Sequence, residues 1–136
     1  MREPGSRPLC PLLASRAVQI ATAAAVALLG AIGFAPLFAG PGYEAALAAG
    51  LVLPTVAAMA ASYETVRHQL RPLRAYERGL AIGAWLAALG YAVALLHGLR
   101  AGLCDLWGGT LYYWLGGGWG ACMGGAWGAI AGTISG

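Results

Sequence analysis

The chain has 136 residues, of which 60% are hydrophobic and only 10% charged, with eight Arg, five Asp or Glu and a formal net charge of +3. A soluble domain carries about a quarter charged residues, and disordered chains are poor in apolar ones. The composition therefore excludes both and leaves an integral membrane protein. Ala (30) and Gly (22) account for 52 residues while Lys and Asn are absent, a bias that GC-rich coding also produces.

A basic arm, 1–16, holds Arg2, Glu3, Arg7 and Arg16. It precedes the first of four stretches free of acids and of Arg, and about 20 such residues suffice to cross a hydrocarbon core about 30 Å thick. The chain is therefore expected to fold as an all-α integral membrane bundle of four transmembrane helices, near 17–39, 45–62, 79–97 and 111–134, forming one domain over 17–136. The first stretch carries Val18, Ile20, Val26, Leu28, Leu29, Ile32, Phe34, Leu37 and Phe38. Together they favour insertion by roughly 3 to 5 kcal/mol. A cleaved signal peptide is the rival reading. The apolar run is longer than the usual h-region of about 7–15 residues and no small-x-small site ends it, which favours a retained helix.

In the second helix, Ala46, Gly50, Pro54, Ala58 and Ser62 form one small row. Pro54 lacks the N–H that would bond the Gly50 carbonyl, so Gly50 and Pro54 mark a candidate kink. Such breaks line substrate sites in many transporters, although Pro is also simply common in membrane helices. The stretch 63–78 reads as a cytoplasmic loop with Glu64, Glu77, His68, Arg67, Arg71, Arg74 and Arg78. Val66, Leu70 and Leu73 are spaced as one face of a short helix that Pro72 would interrupt. The four Arg suit anionic lipid headgroups, at about 1 kcal/mol each, or simply set topology with Tyr63 and Tyr76 at the interface.

The third helix carries Gly79, Gly83 and Ala87 in one row and Ala84, Ala88 and Ala92 in another. Trp85 and Tyr91 lie deep enough to read as packing residues. His97, Arg100, Cys104 and Asp105 follow in an outer loop. They have no standard ligand spacing, so they read as headgroup-level and solvating residues and not as a metal or thiol site. Trp107, Tyr112, Tyr113 and Trp114 read as an outer aromatic belt.

The fourth helix has the most specific pattern. Gly116, Gly120, Gly124, Gly128, Gly132 and Gly136 recur at every fourth position, beside a second small row of Gly117, Ala121, Gly125, Ala129 and Thr133. Residues at i and i+4 share a face, and a bare face lets two membrane helices approach closely. The third helix, through Gly79 and Gly83, is the expected partner within the chain, and another copy is an equally open choice. Residues 116–121 also match the dinucleotide pattern G-x-G-x-x-A, but no acid follows Asp105, so the match is a by-product of the glycine row.

The inner segments hold seven Arg and the outer loops only Arg100, which predicts cytoplasmic N- and C-termini. This topology separates Cys10, Cys104 and Cys122, so no intrachain disulfide is expected. Helix cores without ionisable residues argue against a proton-coupled carrier. Gln19, Thr22, Thr55, Ser62 and Thr133 remain for interhelical hydrogen bonds.

No catalytic residue, cofactor or metal is expected, and Arg this few give no case for nucleic acid. The expected function is non-enzymatic. It is that of an anchor, accessory or assembly subunit in a bacterial plasma membrane, associating through the glycine-zipper helix with a homo- or hetero-oligomeric membrane partner and with the lipid bilayer. The alternative is a small oligomeric channel or transporter. The glycine row still runs at Gly136 with no charged tail after it, so a second reading makes the chain the membrane-embedded start of a longer polypeptide.

Overall fold

The computed structural model describes residues 14–35, 42–102 and 105–135. Every element among them is helical: α1 (Arg16–Ile32), α2 (Tyr43–His68), α3 (Pro72–Ala101), α4 (Leu106–Tyr113) and α5 (Trp119–Ser135), with a π-helical turn, Trp114–Gly118, joining the last two. Counting 106–135 as one continuous element, four helices run alternately up and down. Ser15 at the start of α1 touches Glu64 near the end of α2, and Gly132 near the end of α5 faces Ser62 and Thr65. Both ends of the described chain therefore lie at the same end of the bundle. Two of the helices, α2 and α3, are long and apolar enough to cross a membrane, and α1 is a shorter apolar helix. The arm residues Arg2 and Arg7, Cys10, Cys104, Gly136 and the stretch 36–41 lie outside the described residues.

Helix boundaries differ from expectation for local reasons. α1 stops at Ile32 and not near 39: Phe34 and Ala35 bond back to Ala31 and Ile32, tightening the last turn ahead of Pro36. At 17 residues α1 is about 25 Å long. The stretch 63–78, expected as a loop, is nearly all helix. α2 runs on to His68, Gln69 turns the chain in the left-handed region (φ 48°), and α3 starts at Pro72. Proline suits the first helical turn, where its missing N–H has no partner to lose, so Pro72 begins a helix and interrupts none.

Alanine dominates the core. The large side chains fully buried are Tyr113, Leu53, Ile82, Leu86, Glu64 and Val18. The last helix packs mainly on α2 and α3. The row Gly116, Gly120, Gly124, Gly128 and Gly132 faces α2. A Cβ on Gly124 would lie 2.6 Å from Pro54 Cα, and one on Gly128 would lie 2.5 Å from Ala58 Cα. In the second row Gly117 also meets α2, at Ala49, whereas Ala121, Gly125 and Ala129 face α3 at Gly79 and Gly83, and a Cβ on Gly83 would come within 2.7 Å of Cys122 Cα. The third helix, the partner expected within the chain, does meet the last helix through Gly79 and Gly83. The glycine row itself takes the second helix, which the spacing does not single out. α2 stays helical through Pro54, whose ring and backbone fill the space beside Gly120 and Gly124, and a Cβ on Gly50 would meet Gly116 only at 3.7 Å.

Candidate functional site

The buried face of α2 reads Ala46, Ala49, Leu53, Ala57, Ala60 and Ala61, and the next residue in that helical register is Glu64. A carboxylate thereby continues an apolar stripe into the interior, where Glu64 is only 1% exposed. Burying an ionised carboxylate costs several kcal/mol unless charges and hydrogen bonds replace its water. Three elements supply them. From the start of α1, the Ser15 hydroxyl donates to Oε1. From α3, Arg78 Nη2 lies 2.8 Å from Oε2, and from the next turn of α2 itself His68 Nε2 lies 3.6 Å from it.

The arrangement is one-pronged. Arg78 Nε is buried without a hydrogen bond, and Oε2 has no well-aligned donor, so Arg78 and Glu64 attract as charges and not as a bidentate fork. Ser15 precedes α1 at the position where a hydroxyl normally caps the helix, yet its side chain makes no cap bond. Its hydroxyl instead ties α1 to α2. Glu64 thus joins three helices at the end of the bundle that carries Arg67, His68, Arg71 and Arg74.

Of the four Arg expected at lipid headgroups, Arg67, Arg71 and Arg74 are exposed, and Arg67 Nη1 donates to the Tyr63 hydroxyl at 3.4 Å. Arg78 turns inward to Glu64. Glu64, expected in the 63–78 loop beyond the apolar core 45–62, is buried because α2 runs on to His68. The signal that could have found it is the stripe itself, which reaches Glu64 without a break.

The opposite end is tied by different chemistry. Arg100 donates to the Gly33 carbonyl at 3.2 Å, beyond the end of α1, and its guanidinium lies 4.5 Å from the Phe34 ring centroid. A cation is favourable there because a helix C-terminus carries partial negative charge. His97 packs edge-on against Phe34 at 5.3 Å, close over Gly33. Asp105 accepts the Gly108 N–H at 3.0 Å as the N-cap of α4. His97 and Asp105 therefore have separate structural partners, and Cys104 lies outside the described residues. Among the described residues no group of three metal-ligating side chains comes together.

Tyr113, expected in an outer aromatic belt, is instead 1% exposed and donates to the Ala87 carbonyl at 3.0 Å. The space for it is Gly90, where a Cβ would lie 2.5 Å from the Tyr113 hydroxyl. Trp107, Tyr112 and Trp114 are exposed. Trp85 and Tyr91 are half-buried and reach partners: Trp85 Nε1 donates to Thr22 Oγ1 at 3.1 Å, and Tyr91 shares a 2.7 Å hydrogen bond with Thr110. Thr55 and Thr133 bond to carbonyls of their own helices and not across the bundle.

Compared with known proteins, the chain matches no family model, no curated protein and no solved structure. Its chemistry has to be read from its own geometry. An acid held between a hydroxyl on α1, a guanidinium on α3 and its own helix ties three helices together. The glycine faces make close helix packing.

Proposed function

We propose that the chain is a non-enzymatic multi-pass protein of a bacterial plasma membrane, crossing four times with both termini cytoplasmic, and that it serves as an anchor or accessory subunit for a membrane partner. The observation that supports this most is how side chains are sorted. Small residues and, among the described residues, the one buried acid face inward, while Ile20, Leu51, Leu99, Trp107, Trp127 and Ile134, each at least two-thirds exposed, face outward from every helix. Monomeric soluble proteins rarely expose apolar patches beyond a few hundred Å². In lipid such a surface has no cost, because acyl chains are as apolar as the side chains.

The glycine faces of α5 are already occupied by α2 and α3. Partner binding therefore falls to the outward ridge of Trp119, Met123 and Trp127, large side chains of the kind that anchor interfaces. A solute pathway along Pro54 and the glycine row, the alternative expected from sequence, has those two features packed against each other.

Two experiments test the reading. Cysteines at Arg71 and Leu106, in a background with Cys10, Cys104 and Cys122 replaced by Ser, should label from opposite sides of sealed vesicles. Labelling of both from one side overturns the four-span topology. A photoreactive phenylalanine analogue replacing Trp127 should form a protein adduct in native membranes. Adducts to lipid alone would remove the accessory-subunit role.

A further inference from the structure

A groove of about 560 Å³ runs between α1 and α2 at the Glu64 end of the bundle. Its walls are apolar, with Ile20 and Ala24 on one side and Val56 and Met59 on the other, and its mouth carries Arg16 and Arg67, with Tyr63 beside them. The two cations are uncompensated: among the described residues the ion pairs go from His68 and Arg78 to Glu64, and none involves Arg16 or Arg67. The first turn of α1 adds to the positive field, because the Ser15 hydroxyl donates to Glu64 and makes no cap bond to its own helix.

Length discriminates between occupants. From Arg16 to Ala24 the groove follows α1 for about 12 Å, and from Arg67 to Val56 it follows α2 for about 16 Å. One leaflet of the hydrocarbon core is about 15 Å deep, half of about 30 Å. An apolar trough of one leaflet's depth, cationic only at its interfacial end, has the shape and charge of a phospholipid's complement.

We infer that this groove binds one anionic phospholipid of the cytoplasmic leaflet, with its phosphate between Arg16 and Arg67 and an acyl chain laid along Ile20, Ala24, Val56 and Met59. The inference rests on the membrane reading above. It goes beyond it by assigning a built site to two particular Arg, whereas Arg71 and Arg74 lie outside the groove.

The test is reconstitution into nanodiscs of equal parts phosphatidylglycerol and phosphatidylcholine, followed by native mass spectrometry of the lipid that stays bound. The parent should retain phosphatidylglycerol in preference. Arg16→Gln and Arg67→Gln should each lower that preference roughly fivefold, the effect of about one basic residue at an anionic surface. The double variant Arg71→Gln/Arg74→Gln removes twice the charge of either and should leave it unchanged. Ala24→Phe, or Met59→Trp at an exposed position should the first not fold, should fill the trough and release the lipid. Equal retention of both lipids by the parent, an equal loss in the Arg71/Arg74 variant, or full retention by a folded trough-filling variant overturns the inference. A protein that stays out of the nanodiscs altogether overturns the membrane reading instead.

Discussion

The hydroxyl of Ser15 donates to the carboxylate of Glu64 across 49 residues of sequence, and in doing so leaves α1 without a side-chain cap. A cap is worth about 1 kcal/mol to its helix. Its use in a tertiary contact reflects the larger demand of a buried acid, whose solvation has to be replaced from within the bundle. Arg78 meets the rest of that demand from α3.

Removing Arg78 should therefore be costly. Arg78→Ala is expected to destabilise the bundle by about 2–3 kcal/mol, below the full range for a fully buried pair because a quarter of the Arg78 side chain reaches solvent. Glu64→Gln keeps an acceptor for Ser15 and needs no counter-charge, so its loss should be near 1 kcal/mol. Reversible unfolding in mixed micelles measures both. The double variant should be no worse than Arg78→Ala alone, and strict additivity would show that the two residues do not act on each other.

The glycine row should respond to alanine in a graded way. A Cβ on Gly116 meets its nearest neighbour, the Ala46 carbonyl, at 3.6 Å, and one on Gly120 meets the Pro54 ring at 3.1 Å. Gly116→Ala should then be neutral or stabilising by up to about 1 kcal/mol, from helix propensity. Gly124→Ala and Gly128→Ala collide with backbone, which cannot rotate away, and should cost about 1–3 kcal/mol. The loss should appear as instability of the monomer. A change in oligomeric mass with unchanged monomer stability would place those glycines in an intermolecular contact instead.

Much of this fold is legible in the sequence. Charge-free stretches locate the helices, and the spacing of Gly124 and Gly128 singles out a helix that another backbone approaches. What escapes is anything set by a partner several turns away. Glu64 reads as a loop acid because charges around it dominate the local composition, and only the register from Ala57 through Ala61 carries it inside. Tyr113 looks like Tyr112 in sequence. The difference between them is the gap above Gly90, on a helix that sequence spacing does not tie to it.

Tyr113 and Gly90 give a coupled prediction. Tyr113→Phe removes a buried hydrogen bond and should cost about 1 kcal/mol. Gly90→Ala should cost about 1–3 kcal/mol, since its Cβ would meet the Tyr113 hydroxyl at 2.5 Å and Leu29 and Leu53 at 3.0 Å. Combined, the two should cost less than their sum, because the nearest clash leaves with the hydroxyl. A sum equal to the parts would mean that Leu29 and Leu53 alone set the penalty.

The turn between α2 and α3 offers a gain. Gln69 is the one described non-glycine residue with positive φ, at 48°. Gln69→Gly relieves a left-handed strain that glycine does not feel, and should raise stability by up to about 1 kcal/mol. Thermal unfolding in detergent reads it directly, and a loss would mean that the Gln69 side chain contributes more than its 3.4 Å bond to Val66 suggests.

The wide turn at Trp114–Gly118 fixes more than a local shape. Trp119 N–H reaches back five residues to the Trp114 carbonyl, so this segment holds one residue more than an α-helical ladder over the same rise would. One residue is about 100° of rotation. Upstream of it, Tyr113 points to the Gly90 gap; downstream, two glycine rows point at α2 and α3 together. These orientations belong to different angular phases of one helix, and the extra residue is the offset between them. A regular α ladder through all the same residues would turn the whole of α5 away from both neighbours, whereas deleting any one of Gly116, Gly117 or Gly118 would straighten the ladder and leave α5 facing them.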